Sequence, residues 1–262
     1  IRPADAAWAA RVLQAIDARA FHPVFQPLYS LVDGRLFGVE ALTRFEGDPP
    51  APPNVWFEQA HRAGLGLDLE VATLEAALDA SAELDPDVAM SFNASPALLT
   101  DPRLYELLDR RDGRRLIVEV TEHAVIEDYR DVTVARASLR DRGVLVAVDD
   151  AGAGFASLRH IVMLQPDVIK LDASLTQDLG DDPVRGPLAD ALLQFAERTG
   201  SRVVVEGIET PSDLATWRAL GAHIAQGYLL ARPGPLPFQR SYEPLASAQH
   251  LGARPRSTRA AG

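Results

Sequence analysis

HPVFQPLYSLVDGRLFGVEALTRF, residues 22–45, is the stretch whose reading decides the fold. Two β-rich runs, HPVFQPLYSL and RLFGVEALTRF, meet at VDGR, where Asp33 and Gly34 have the chemistry of a hairpin turn, so the pair is expected to be antiparallel. The rest of the chain follows another rule. Short β-branched runs alternate with longer helical patterns, the signature of β/α units on a mostly parallel sheet. The later strands read as VAMSFNAS, RLIVEVTE, VLVAVDD, DVIKLD, RVVVEGIE and IAQGYLLARP. With the opening pair they make eight, which suggests closure. The expected class is α/β, a TIM-like (β/α)8 barrel with an antiparallel first strand.

Helical spacing fills the gaps between strands. LDLEVATLEAALDASAEL repeats Leu67, Val71, Leu74 and Leu78 on one face, and PVRGPLADALLQFAERTG has prolines near its start and Gly200 at its end. EGDPPAPPN is a proline-rich loop and residues 251–262 read as a frayed tail. No repeat or linker divides the chain, so one domain is expected over residues 1–250, with its core at 21–233. Because the chain opens on Ile1, we expect a domain from a longer protein, with a sensory or regulatory part upstream.

Composition narrows the chemistry. Of 262 residues 47% are hydrophobic and 24% charged, as in an ordinary globular protein. The absence of cysteine removes thiolate catalysis, zinc–thiolate sites and disulfides, and is compatible with a cytoplasmic location. A net charge of −11 argues against a nucleic-acid polymer as partner, although a phosphate substrate remains open if carboxylates first capture divalent cations.

The strands show such carboxylates. A barrel strand should be apolar on both faces, yet nearly every one is interrupted near its C-terminal end. In order the interruptions are Gln26, Glu40, Asn93, Glu119, Asp149 with Asp150, Lys170 with Asp172, Glu206 with Glu209, and Gln226. A β/α barrel gathers those ends at one mouth, where such carboxylates repel unless they are protonated or share cations. The oxygen set Glu40, Asn93, Glu119, Asp149, Asp150 and Glu206 favours Mg²⁺ or Mn²⁺ over Zn²⁺. Strand alternation turns Asp149 inward with Ala147 and Leu145, while Asp150 follows at the turn. Two metals suit phosphodiester cleavage.

Lys170 has two readings: a cation that meets phosphate or orients the attacking water, or one half of an ion pair with Asp172 or Glu206. Arg44 lies on the face of Glu40, roughly 13 Å further along the strand, within reach of a distal phosphate. The GAGF loop lacks the lysine and Ser/Thr of a P-loop. His61, His123, His160 and His223 are scattered and read as packing or surface residues.

Taken together these residues resemble the EAL-domain family of cyclic-di-GMP phosphodiesterases. The triplet Glu40-Ala41-Leu42 stands in EALTR, and SFNAS, VEVTE, VDDAGAGFASL, PDVIKLD, VEGIET and AQGYLLARP follow in family order over residues 21–233. The resemblance implies hydrolysis of cyclic di-GMP to linear pGpG with two Mg²⁺ or Mn²⁺ ions, Ca²⁺ inhibiting, and a homodimer. It implies that Glu40, Asn93, Glu119 and Asp149 ligate one metal, and that Asp149 and Asp150 serve the second. Glu206 is then the general base and Lys170 its phosphate-side partner. Glu209 and Gln226 complete the second-metal and water shell, while Gln26, Leu42 and Arg44 match positions that bind the dinucleotide, Gln226 being counted with them. Glu122 anchors the loop after the aspartates. The family pattern there resembles DDFGTG, and Ala151 and Ala153 replace its Phe and Thr, so loop rigidity, dimer coupling and turnover are expected to change before metal binding does.

Two competing classes remain. A catalytically weak member acting as a cyclic-di-GMP receptor or protein-interaction module would be expected to lack one or more of these carboxylates, and none is missing. A barrel glycosidase needs neither the adjacent aspartates nor the inward lysine.

Overall fold

The computed structural model describes residues 3–110, 113–121, 129–151, 156–180 and 182–243. Eight strands close into a barrel in sequence order: β1 (Phe21–Ser30), β2 (Leu36–Phe45), β3 (Ala89–Asn93), β4 (Leu116–Thr121), β5 (Leu145–Ala151), β6 (Val168–Leu171), β7 (Arg202–Val205) and β8 (Ile224–Ala225). Strand β1 runs antiparallel to both neighbours and the remaining pairs are parallel, as the hairpin reading requires. Gly34 takes φ 74° in the β1–β2 turn, and the Asp33 carboxylate accepts from the Arg35 N–H at 3.2 Å.

Pro23 and Pro27 fit inside β1 because of where their missing N–H groups would point. Phe25, of the same parity, donates away from β2 to the Gly234 carbonyl at 2.8 Å, and β8 pairs β1 only at Tyr29 and Ser30. No ladder bond of the barrel is lost there.

Helices cover the outside. In chain order they are α1 (Pro3–Ala18), α2 (Pro53–Arg62), α3 (Gly66–Ala80), α4 (Pro96–Leu99), α5 (Pro102–Asp109), α6 (Tyr129–Asp141), α7 (Ala156–Leu164), α8 (Ala173–Thr176), α9 (Arg185–Thr199) and α10 (Pro211–Leu220). Gly200 ends α9 in the left-handed conformation, as its place after the helical pattern suggests. No helix among the described residues is long and apolar enough to cross a membrane.

Strand β8 is shorter than IAQGYLLARP implied, ending at Ala225. A Cβ on Gly227 would stand 2.2 Å from the Ile208 carbonyl oxygen, so the chain after Gln226 lies directly on the β7–α10 connection and turns away from the barrel. Residues 251–262 lie outside the described residues.

Candidate active site

The barrel interior is built in layers. Leu28, Ala89, Ile117, Ala147, Val168, Val204 and Ile224 form a buried apolar plug. Because side chains alternate with period two, the next inward residue on each strand lies one layer nearer the mouth. Those residues are Gln26, Ser91, Glu119, Asp149, Lys170, Glu206 and Gln226, with Glu40 on β2 and Asn93 a further step along β3. A polar layer therefore rests on an apolar floor.

Lys170 stands at its centre, 1% exposed. Its ammonium lies 2.8 Å from Glu119, 2.9 Å from Asp149, 2.8 Å from Glu206 and 3.4 Å from Glu40. The two sequence readings of Lys170 thus merge: it is ion-paired, but to four members of the acidic layer. Asp172 is elsewhere, accepting from the Ser174 N–H as the cap of α8.

Two carboxylate triads share one residue. Ligand atoms of Glu40, Glu119 and Asp149 lie within 4.8 Å of one another, and so do those of Asp149, Asp150 and Glu206. Adjacent side chains on a regular strand face opposite ways, so Asp149 and Asp150 need a device to meet. Between its pairings with β6, β5 runs from Val148 to Ala151 while β6 advances only from Ile169 to Leu171, an extra residue that makes a β-bulge. Asp150 sits in it at φ 57°, a left-handed conformation that Asp tolerates better than most residues.

Electrostatics set the protonation state. Like charges 4.8 Å apart cost about 3 kcal/mol per pair at an effective dielectric near 20, and one ammonium faces five carboxylates. Burial pushes Glu119 well above the usual carboxylate range; Lys170 pulls it back, and Glu40 and Asp149 add to the rise. Burial also lifts Glu206 to about 8 against the pull of Lys170, with Asp149 and Glu40 raising it further. Burial opposes the charge on Lys170, but the four carboxylates outweigh it and hold the ammonium protonated. Without cations, the layer relieves its repulsion by keeping protons.

The donor set fits divalent cations. It is all oxygen, and the buried Gln226 Oε1 makes no hydrogen bond among the described residues, while the buried Asp149 Oδ1 meets the Lys170 ammonium at 2.9 Å. Gln226 donates to Glu40 at 2.7 Å and Asn93 to the other Glu40 oxygen at 3.4 Å, so both amides serve the Glu40 triad. Gln26 donates to the Ala231 carbonyl at 3.3 Å. Leu42 and Arg44 continue the inward face of β2 toward the mouth, where Arg44 pairs in register with His22 and donates to the Thr43 carbonyl.

The structure does not gather every expected residue. Glu209 is exposed on the β7–α10 connection and belongs to neither triad. Glu122, His123 and Ala153 lie outside the described residues, while Ala151 is buried in β5 opposite Leu171. His61 pairs with Glu70 at 3.0 Å and His223 accepts from the Val203 N–H, both away from the layer. Sequence reasoning passed over Ser91, whose place between Ala89 and Asn93 marked it as inward, and His22, which the hairpin register sets opposite Arg44.

Comparison with known proteins agrees with this architecture. The EAL domain family profile matches residues 9–233. An uncharacterized Mycobacterium tuberculosis protein, Rv1357c, is 30% identical over 244 residues, covering 86% of this chain and 79% of that protein. Cyclic di-GMP phosphodiesterase PA2567 of Pseudomonas aeruginosa is 32% identical over 224 residues, 81% of this chain but 38% of that longer protein. Among solved structures, the calcium and cyclic di-GMP complex of Klebsiella pneumoniae BlrP1 superposes with a TM-score of 0.73 at 26% identity, over 86% of this chain and 58% of that one.

Proposed function

Because the chain belongs to the EAL domain family, we propose that it is a metal-dependent phosphodiesterase that hydrolyses one phosphodiester of cyclic di-GMP to give linear pGpG. The observation that carries this reading is the pair of carboxylate triads sharing Asp149. Glu40, Glu119 and Asp149, with Asn93, would hold one Mg²⁺ or Mn²⁺, and Asp149, Asp150 and Glu206 a second. Such ions lower the pKa of water and neutralise charge on a phosphate as its bond breaks.

The chain's own groups supply the rest. Glu206 has the most exposed side chain of the four partners of Lys170, at 18%, so it is the carboxylate placed to take the proton of an incoming water. Lys170 holds Glu206 in orientation and stays charged beside the phosphate. Gln26 at the level of the layer and Leu42 and Arg44 above it form the binding face, Arg44 meeting a phosphate oxygen. Gln226 fixes Glu40, while Glu209, exposed on the β7–α10 connection, belongs to neither triad. A homodimer completes the proposal.

The test is to incubate the purified protein with cyclic di-GMP and Mg²⁺, Mn²⁺ or Ca²⁺ and to separate the products. Conversion to pGpG with Mg²⁺ or Mn²⁺ and its suppression by Ca²⁺ are expected, since the looser coordination of Ca²⁺ suits in-line displacement poorly. Binding without cleavage under every metal would make the protein a receptor and refute the hydrolase.

A further inference from the structure

Strand β7 ends at Val205, yet Glu206 is the next residue, so the carboxylate assigned as base stands on irregular backbone. Several backbone polar groups near it have partners. The Glu206 N–H donates to the Leu171 carbonyl at 3.1 Å, and the Ile208 N–H to the Gln226 carbonyl at 3.1 Å. The carbonyls are held by side chains: Thr176 Oγ1 donates to the Glu206 carbonyl, and Gln177 Nε2 to the Gly207 carbonyl at 2.9 Å. Consecutive residues at the end of α8 thus grip consecutive carbonyls.

That grip is itself braced. Thr176 is fully buried, and its carbonyl accepts at 2.9 Å from the indole N–H of Trp217, also fully buried on α10. Gly207 lies at φ 64°, and a Cβ there would stand 2.6 Å from the Ala173 Cβ, so the segment is pressed against α8. A buried hydroxyl serving a part-buried carbonyl in an irregular loop has no secondary-structure duty to explain it.

We propose that Thr176 and Gln177 are positioning residues for Glu206: they fix the backbone that aims its carboxylate at the water and at the triad with Asp149 and Asp150. The assignment rests on the hydrolase reading, which gives Glu206 its role, but its metal-binding half stands apart from turnover. Removing the Thr176 hydroxyl leaves the part-buried Glu206 carbonyl without that donor and lets the segment shift, which changes the aim and leaves Arg44 and Gln26 untouched.

The test compares wild type, Thr176→Val and Thr176→Ser, each checked for folding by its thermal transition. Mn²⁺ is titrated by thermal shift without substrate, and kcat and KM are measured on cyclic di-GMP. Thr176→Val is expected to raise the Mn²⁺ midpoint roughly 10-fold and lower kcat by about the same factor, with KM within about twofold, and Thr176→Ser to regain both. An unchanged Mn²⁺ midpoint in folded Thr176→Val overturns the proposal, as does a loss that Ser fails to rescue. If wild type binds Mn²⁺ but cleaves nothing, the hydrolase reading falls and the midpoint alone still decides the positioning role.

Discussion

Asp149 is the one carboxylate in both triads and lies 2.9 Å from Lys170, so replacing it disturbs both cation positions together. Asp149→Asn is expected to weaken Mn²⁺ binding and turnover in parallel, each by at least about tenfold, read as the Mn²⁺ dependence of kcat. An unchanged titration would remove the paired aspartates from the ligand set. Glu206→Gln separates differently. It keeps shape while removing the base and one carboxylate of the second triad, so hydrolysis should be lost and Mn²⁺ affinity reduced while cyclic di-GMP still binds, as followed by calorimetry in the presence of metal. Near-normal hydrolysis would take Glu206 out of the mechanism. Both residues were legible as polar breaks in apolar strands. The part of Lys170 was not, because spacing alone offers one partner at a time and the closed barrel brings four.

At the scale of elements, period-two alternation carried most of the site: the steps from Ile117 to Glu119, Ala147 to Asp149 and Val204 to Glu206 are visible in the sequence and put each carboxylate above the plug. The same rule fails at Asp150, which it sends away from Asp149. Only the extra residue in β5 returns it, and a bulge depends on pairing with β6, which a single strand's sequence does not state. Thr176 and Gln177 escaped for a like reason, their use being set by a loop thirty residues onward. The bulge can be tested. Asparagine tolerates a positive φ and alanine does not, so Asp150→Asn should keep its thermal transition while losing Mn²⁺ affinity, and Asp150→Ala should also lose about 1 kcal/mol of stability in urea. Equal stability of the two variants would mean that residue 150 does not hold the left-handed conformation.

Across the whole molecule, net charge, barrel closure and metal dependence meet in one pH effect. Closure forces several carboxylates of a chain with net charge −11 into one buried layer, and in the metal-free protein that layer retains protons. Glu206 titrates at about 8 when folded, against an ordinary value of 4.5. Between those values the folded state holds a proton that the unfolded chain has released, so stability falls as pH rises. Its contribution is complete below about 4.5 and is lost as pH passes through about 8. Glu119 acts in the same direction. His223 opposes it, because burial holds its pKa below 6.5 and folding is favoured as pH climbs to that point. Asp33, Asp101 and Asp182, all lowered, act only in acid. The clear window is therefore from about 6.5 to about 8.5. There the melting temperature in chelator should decline with rising pH, Glu206→Gln should flatten part of the slope, and saturating Mn²⁺ should flatten more of it by taking the place of the protons. A chelated wild type whose melting temperature stays level or rises across that window would show that the acidic layer is not proton-loaded, and that its carboxylates reach charge balance in some other way.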